Sequence, residues 1–204
     1  MIAIVDYGRT NLGSVEKSFR RVGVPALVTQ DPRTVDEAEA VVLPGDGAFH
    51  DAMTNLADLG LLDPVRRALD GRRPFLGICI GYQLLFSASE EFGEGKGLDA
   101  IAGVVRRFPS GLKVPHMGWN RVWHGGSLRL FDGIPDGAHF YFVHSYFPVA
   151  SADNLGQAWC EYGVRFAAAV ETGRIYATQF HPEKSQKPGI RLLQNFAALV
   201  KEGR

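Results

Sequence analysis

The chain has 204 residues, 46% of them hydrophobic and 22% charged, which is ordinary for a globular protein of one large or two small domains. Lys plus Arg and Asp plus Glu number 22 each, so the net charge gives no electrostatic reason to expect nucleic acid or a membrane surface as partner. Two cysteines, Cys79 and Cys160, are too few for a disulfide framework and lack metal-ligand spacing.

In chain order, "IAIVD" (2–6) is a β-branched run that predicts a buried strand. The start "MIAIVDYG" carries no basic segment ahead of an apolar stretch and no small-residue cleavage site, so no signal peptide is expected. No apolar run approaches the ~20 residues that cross a bilayer. These features set the expectation of a reduced, cytoplasmic protein. Asn11 is placed to cap a helix with Leu12, Val15, Phe19 and Val22 on one face, ended by Gly23. Strands follow at "PALVT" (25–29) and "AVVLPG" (40–45), then helices over Ala48–Leu62 and Pro64–Leu69. "PFLGIC" (74–79) reads as a fourth strand and "GYQLLFSAS" as the helix after it. Continuous apolar strands alternating with helices predict an α/β fold, its parallel sheet covered on both faces.

From 98 to 180 the pattern changes to short β-rich runs separated by Gly and Pro: "AIAGVVRRF", "NRVWH", "HFYFVHSYFPV", "GQAWCEYGV", "FAAAVETG" and "IYATQF". These predict antiparallel or mixed strands added to the parallel core. A helix from about Gly189 to Val200, after Pro188, closes the chain. No repeat, low-complexity segment or linker divides it, so a single domain over 1–204 is expected.

Cys79 lies in "GICIG", between a predicted strand and a predicted helix. Free cysteines are most often packed core residues. Here the flanking Gly77 and Gly81 let the chain pass close to itself, as a nucleophile elbow requires. An elbow lifts the sulfur clear at the carboxyl edge of the sheet and places it at a helix amino terminus, which favours thiolate. It also turns the N–H of Ile80 toward a developing oxyanion. Of the six histidines, His50, His116, His124, His139, His144 and His181, the last stands in "QFHPEKS" at the end of a strand. Glu183, two residues on, points the same way in extended chain and can orient the imidazole as a base. "LPGDGAF" (43–49) follows the third strand, and its Gly45 and Gly47 bracket Asp46 at the same sheet edge. Such a loop can turn backbone N–H groups toward negative charge, or be no more than a tight strand-to-helix turn.

"PGDGAF", "GICIGYQ" and "HPEKS", in this order, resemble the class I (triad) glutamine amidotransferases. Within that class, "DYGRTNLGSV", "KVPHMGWN" (113–120) and "YFVHSY" (141–146) resemble the family of glutaminase subunits of imidazole glycerol phosphate synthases, of histidine biosynthesis. The resemblance spans nearly the whole chain. It implies a flavodoxin-like α/β fold and hydrolysis of glutamine to glutamate and ammonia with no cofactor. Cys79 would be the nucleophile, His181 the base and Glu183 its orienter. Ile80 and Gly47 would supply backbone donors to the oxyanion. Gln83, Ser145 and Tyr146 would contact the substrate. The implied partner is the cyclase subunit, in a heterodimer, with Asn11, Trp119, Asn120, Tyr141 and Lys184 at the contact.

Three positions depart from the family pattern. Asp46 stands where a small apolar residue is common, Tyr82 where methionine is frequent, and Thr10 where glycine is frequent. A carboxylate beside an oxyanion would repel it, so Asp46 is expected to point away, into a local turn hydrogen bond. Trp119 reads either as interface or as core between Met117 and Val122. A non-catalytic binding subunit, or the glutaminase of another synthase, are the competing readings. A dinucleotide site is not expected, because "GDGAFHDA" does not fit G-x-G-x-x-G.

Overall fold

The computed structural model of the chain describes residues 1–8, 12–151 and 155–202. Its first half alternates strand and helix: β1 (Ile2–Val5), α1 (Leu12–Arg21), β2 (Ala26–Thr29), α2 (Pro32–Glu37), β3 (Ala40–Leu43), α3 (Phe49–Asp58), α4 (Leu62–Ala68) and β4 (Phe75–Ile78). Strands β1, β3 and β4 are buried along their whole length, the signature of a parallel sheet covered on both faces. Helix α2 has no apolar stripe long enough to be read from sequence. Asp31 forms it locally, its carboxylate accepting from the backbone N–H groups of Arg33 and Thr34, with Pro32 in the first turn.

After β4 come a single helical turn, α5 (Ile80–Gln83), and strands β5 (Phe86–Ser89), β6 (Gly95–Lys96), β7 (Ile101–Arg107), β8 (His116–Val122), β9 (Ala138–His144), β10 (Tyr146–Ala150), β11 (Gly156–Tyr162), β12 (Val164–Thr172) and β13 (Ile175–Thr178). Helix α6 (Gln186–Glu202) follows a short 3₁₀ turn at Pro182–Lys184. The main sheet runs β11-β12-β13-β4-β3-β1-β2. Strands β2, β1, β3, β4 and β13 are parallel, and β12 and β11 add to it antiparallel. A smaller sheet, β10-β7-β5-β6, and the pair β8-β9 complete the β structure. The mostly parallel core with antiparallel additions is the architecture expected from the sequence.

Two expected elements differ. The helix foreseen over "GYQLLFSAS" stops after one turn, and Phe86–Ser89 is a strand. Its apolar spacing suits either period, and parallel pairing with β7, distant in sequence, decides for strand. The closing helix begins at Gln186, before Pro188, because a proline in the first turn removes an N–H that has no helical acceptor anyway.

The topology brings the sites together. Strand β4 lies between β3 and β13, so the turns leaving all three converge at one edge of the sheet, where open α/β folds hold ligands. Gly189 keeps α6 tight against this edge. A Cβ there would lie 1.9 Å from the carbonyl oxygen of Pro182.

Candidate active site

Cys79 forms the junction of β4 and α5 with φ 56° and ψ −107°, a left-handed conformation that a side-chain-bearing residue adopts only under constraint. The two glycines serve by close approach. A Cβ on Gly81 would sit 1.7 Å from the Leu43 carbonyl oxygen, and one on Gly77 2.8 Å from the Gly81 oxygen. The turn is therefore packed against the end of β3, and Cys79 cannot relax without moving that strand. Because α5 is one turn long, the helix dipole lends less to the thiolate than the expected long helix would have.

His181 leaves β13 with Nδ1 2.8 Å from Glu183 Oε1, and both side chains are buried. With the Nδ1–H donating to this carboxylate, Nε2 is left for the reaction, and it has no hydrogen bond among the described residues. Burial opposes charge on this imidazole, but the charge and proximity of Cys79 and the Glu183 carboxylate outweigh it and raise the pKa to about 10. Ser185 clamps the turn: its hydroxyl donates to the His181 carbonyl at 2.6 Å and accepts from the Tyr141 N–H at 3.0 Å. The Tyr141 carbonyl in turn accepts from the His181 N–H.

A cavity of about 390 Å³ opens over this edge, within the usual range for small-molecule sites. Cys79, Ile80, Gln83, Ser145, Tyr146, His181, Asp46, Gly47 and Lys184 all line it, so the expected catalytic, oxyanion and substrate residues converge. The Ile80 N–H is not free. It points at the Gly45 carbonyl at 3.5 Å, so the loop holds the oxyanion donor in a weak internal contact. Asp46 is exposed, and its carboxylate makes no turn hydrogen bond among the described residues, unlike the expectation. Gly47 has φ +89°, a conformation glycine adopts without penalty.

Among the expected partner residues, Trp119 is 47% exposed, so the core reading of this residue is set aside. Tyr141 lies opposite it across β8-β9, the rings 6.0 Å apart. Asn120 faces inward instead, donating to the Glu161 carbonyl and meeting His116 Nε2. Lys184 has no ion-pair partner among the described residues. Asn11 lies outside the described residues, as does Thr10. Cys160 is buried in β11, where burial pushes its thiol up to about 12.

Three residues at the site were not foreseen. Glu91 lines the cavity, one carboxylate oxygen accepting from the Phe49 N–H at 2.7 Å. Gln179, fully buried, directs its amide nitrogen at Cys79 Sγ, 3.8 Å away. Tyr7 lies buried beside Gly45, its hydroxyl without a partner among the described residues. "EE" at 90–91, directly after the apolar run read as a helix, was the available signal for Glu91; Gln179 and Tyr7 had none.

The family model for class I glutamine amidotransferases matches residues 3–200. The chain belongs to the class I glutamine amidotransferases. This amidotransferase is 50% identical over 200 residues to "Imidazole glycerol phosphate synthase subunit HisH" of Moorella thermoacetica, covering 98% of this chain and 95% of that one. It is 50% identical to the protein of the same name in Geobacter sulfurreducens (97% and 98% covered) and 45% identical to that of Aquifex aeolicus (95% and 94%). Among solved structures, one titled only as a glutamine amidotransferase superposes with TM-score 0.76 at 20% identity, covering 98% of this chain and 100% of that one. A glutamine amidotransferase of Thermotoga maritima gives TM-score 0.65 at 17% identity, with 98% and 84% covered. Both share the fold. The amidotransferase is a glutamine-hydrolysing enzyme, grouped by sequence with the glutaminase subunits of imidazole glycerol phosphate synthase in histidine biosynthesis.

Proposed function

We propose that Cys79, His181 and Glu183 carry out glutamine hydrolysis, and that the ammonia passes to a cyclase subunit in a heterodimer. The observation that carries the reading is His181 held between Glu183 and Cys79 on the wall of the cavity. The Cys79 sulfur attacks the side-chain amide carbon of glutamine, and the amide oxygen becomes an oxyanion. His181, already holding at Nε2 the proton drawn from the thiol, gives it to the leaving nitrogen as the C–N bond breaks, releasing ammonia and a glutamyl thioester. Water then adds to the thioester, His181 accepting its proton, and C–S cleavage frees glutamate and returns the proton to sulfur. Gly47 and Ile80 are assigned the oxyanion donors. Gln83, Ser145 and Tyr146 are assigned the substrate's amino-acid end, and Glu91 its α-ammonium group, since a buried carboxylate needs a counter-charge.

Ammonia released into neutral water is mostly protonated and is then no nucleophile, which supports delivery to a partner rather than leakage. The cyclase would use it to make imidazole glycerol phosphate and an aminoimidazole carboxamide ribonucleotide. The exposed Met117 and Trp119, with Tyr141 and Lys184 beside them, are proposed as the contact surface. Asn120, although its amide turns inward, belongs to the same strand, and Asn11 is kept in the proposal by its motif. The reading includes a single catalytic domain over 1–204, a cytoplasmic setting, and no nucleic acid or membrane partner; no helix of the described residues is long and apolar enough to span a bilayer.

The Gly45 carbonyl must leave the Ile80 N–H before that donor can meet an oxyanion. The isolated chain should therefore turn over glutamine slowly and be accelerated by the cyclase with its nucleotide. Equal rates would overturn this part of the proposal. The test of the whole is Cys79→Ala in the complex. Glutamine-dependent synthesis should vanish while synthesis from ammonium salts persists; loss of both would make Cys79 structural.

A further inference from the structure

A hydrogen-bonded chain runs from strand β8 to the nucleophile; the mechanism above assigns Gln83 and Tyr146 to the substrate and gives His116, His144 and Gln179 no role. His116 and His144 are cross-strand neighbours in β8-β9, with His116 Nδ1 3.0 Å from His144 Nε2. His144 Nδ1 lies 2.8 Å from the Tyr146 carbonyl oxygen. Gln83 Nε2 donates to the same oxygen at 3.0 Å and to Gln179 Oε1 at 3.1 Å. Gln179 Nε2 then faces Cys79 Sγ. At the other end, Asn120 Nδ2 is 3.2 Å from His116 Nε2.

Backbone carbonyls dictate the sense of every link. A carbonyl only accepts, so His144 carries its proton on Nδ1, and Gln83 presents its nitrogen to Tyr146. Both imidazoles are neutral, since burial pushes His116 down to about 4 and His144 to about 3. A neutral His144 has a bare Nε2, so His116 must donate from Nδ1 and accept from Asn120 at Nε2. Asn120 also donates to the Glu161 carbonyl, which sets its amide the same way. On the far side, Gln83 nitrogen meeting Gln179 oxygen leaves the Gln179 nitrogen for the sulfur. Gln83, with both amide hydrogens engaged, keeps its oxygen as an acceptor at the cavity wall.

We propose that His116 and His144 are positioning residues: through Tyr146, Gln83 and Gln179 they hold an N–H donor against the Cys79 sulfur, and through Asn120 they connect that donor to the strand exposing Trp119. An N–H donor aimed at a sulfur hydrogen-bonds more strongly to the charged than to the neutral form, which is the effect the test below reads. The inference rests on the glutaminase reading of Cys79 and deepens it. The titratable groups facing the sulfur are His181 with Glu183 on the turn after β13, Tyr7 after β1, and Asp46, Glu91 and Lys184 at the cavity. The relay adds a neutral donor to that set.

The test uses the enzyme–cyclase complex and follows the rate of Cys79 alkylation by iodoacetamide against pH, which needs no glutamine. Gln179→Met keeps the volume and removes the donor. The alkylation profile should shift about one pH unit upward and glutamine kcat should fall about tenfold. Gln179→Glu, of nearly the same shape, should shift it further. His144→Phe should raise the glutamine KM about tenfold, with a smaller shift of the same sign. His144→Asn, which keeps a donor near the place of Nδ1, should restore KM to within about threefold. Synthesis from ammonium salts reports assembly in each variant. An unshifted profile in both Gln179 variants, or His144→Asn as damaging as His144→Phe, overturns the proposal. Glutamine-dependent synthesis surviving Cys79→Ala would instead overturn the glutaminase reading, so the two failures are distinguishable.

Discussion

Two buried histidine sites share this fold and carry opposite charge states. His181 is held protonated well above neutrality, while His116 and His144 are held neutral. All three are 5% exposed or less, so burial does not explain the difference. The partners do. His181 faces a thiol that can ionise and a carboxylate at 2.8 Å, whereas the β8-β9 pair faces a backbone carbonyl, an amide and the rings of Phe108, Phe142, Tyr162 and Phe166. A low-polarity setting amplifies whichever partner is present. One site is thereby suited to moving a proton and the other to holding a direction.

The hardest blow to the charged site is Cys79→Ala. Glutamine turnover should be lost by more than about 10³-fold, and the His181 pKa, read by NMR titration, should fall from its raised value because its strongest supporting charge is gone. A His181 that still titrates near 10 would show that Glu183 alone sets it. Glu183→Gln keeps the shape and removes the second charge, and kcat should drop by roughly 10⁴, the size of loss when a triad acid is replaced by its amide. A loss confined to KM would place Glu183 outside proton transfer.

The neutral pair predicts acid sensitivity. Its folded pKa values lie below the ordinary value of about 6.5, so between about pH 6.5 and 4 the unfolded chain binds protons that the folded one cannot. The contribution of this pair is therefore full above about pH 6.5 and falls as pH drops, by up to about 3 kcal/mol at about pH 5.5 for the two histidines together, whereas the raised His181 contributes in the opposite sense, its stabilisation being lost as pH rises from about 6.5 toward 10. Denaturant midpoints measured from about pH 6.5 to 5, where the His181 contribution changes little, check this; a flat response would mean that the pair is not held neutral in the fold. The smallest effect is expected at Tyr7, which sits by the charged site yet has no partner for its hydroxyl among the described residues. Tyr7→Phe should leave stability unchanged or raise it by up to about 1 kcal/mol, since it removes an unsatisfied buried group. A marked loss would reveal a hydrogen bond made only in solution or in the complex.

The sequence was informative where function sits on short contiguous motifs. "GICIG" and "HPE" each carry their own geometry. The glycines permit close approach, and the two-residue step from His181 to Glu183 places both on one side of the chain. It was also informative for β1, β3 and β4, whose continuous apolar runs can be satisfied only by burial on both faces. It misled where one local pattern suits two structures. "GYQLLFSAS" fits helix or strand until β7 pairs with it, and Pro188 reads as a stop although a first turn accepts it.

The sequence by itself determined which residues could do chemistry: a cysteine between glycines, a histidine with its acid, and a glycine-bracketed loop after a strand. Only the tertiary structure decided what surrounds them. Gln83 and Gln179 stand 96 residues apart, and Gln83 and Tyr146 63 apart. These meet because β13 inserts beside β4 and because the chain turns at Ser145 from β9 to β10. The direction of a hydrogen-bond chain depends on which atom faces which across such long-range pairings, and no local pattern of residues encodes that.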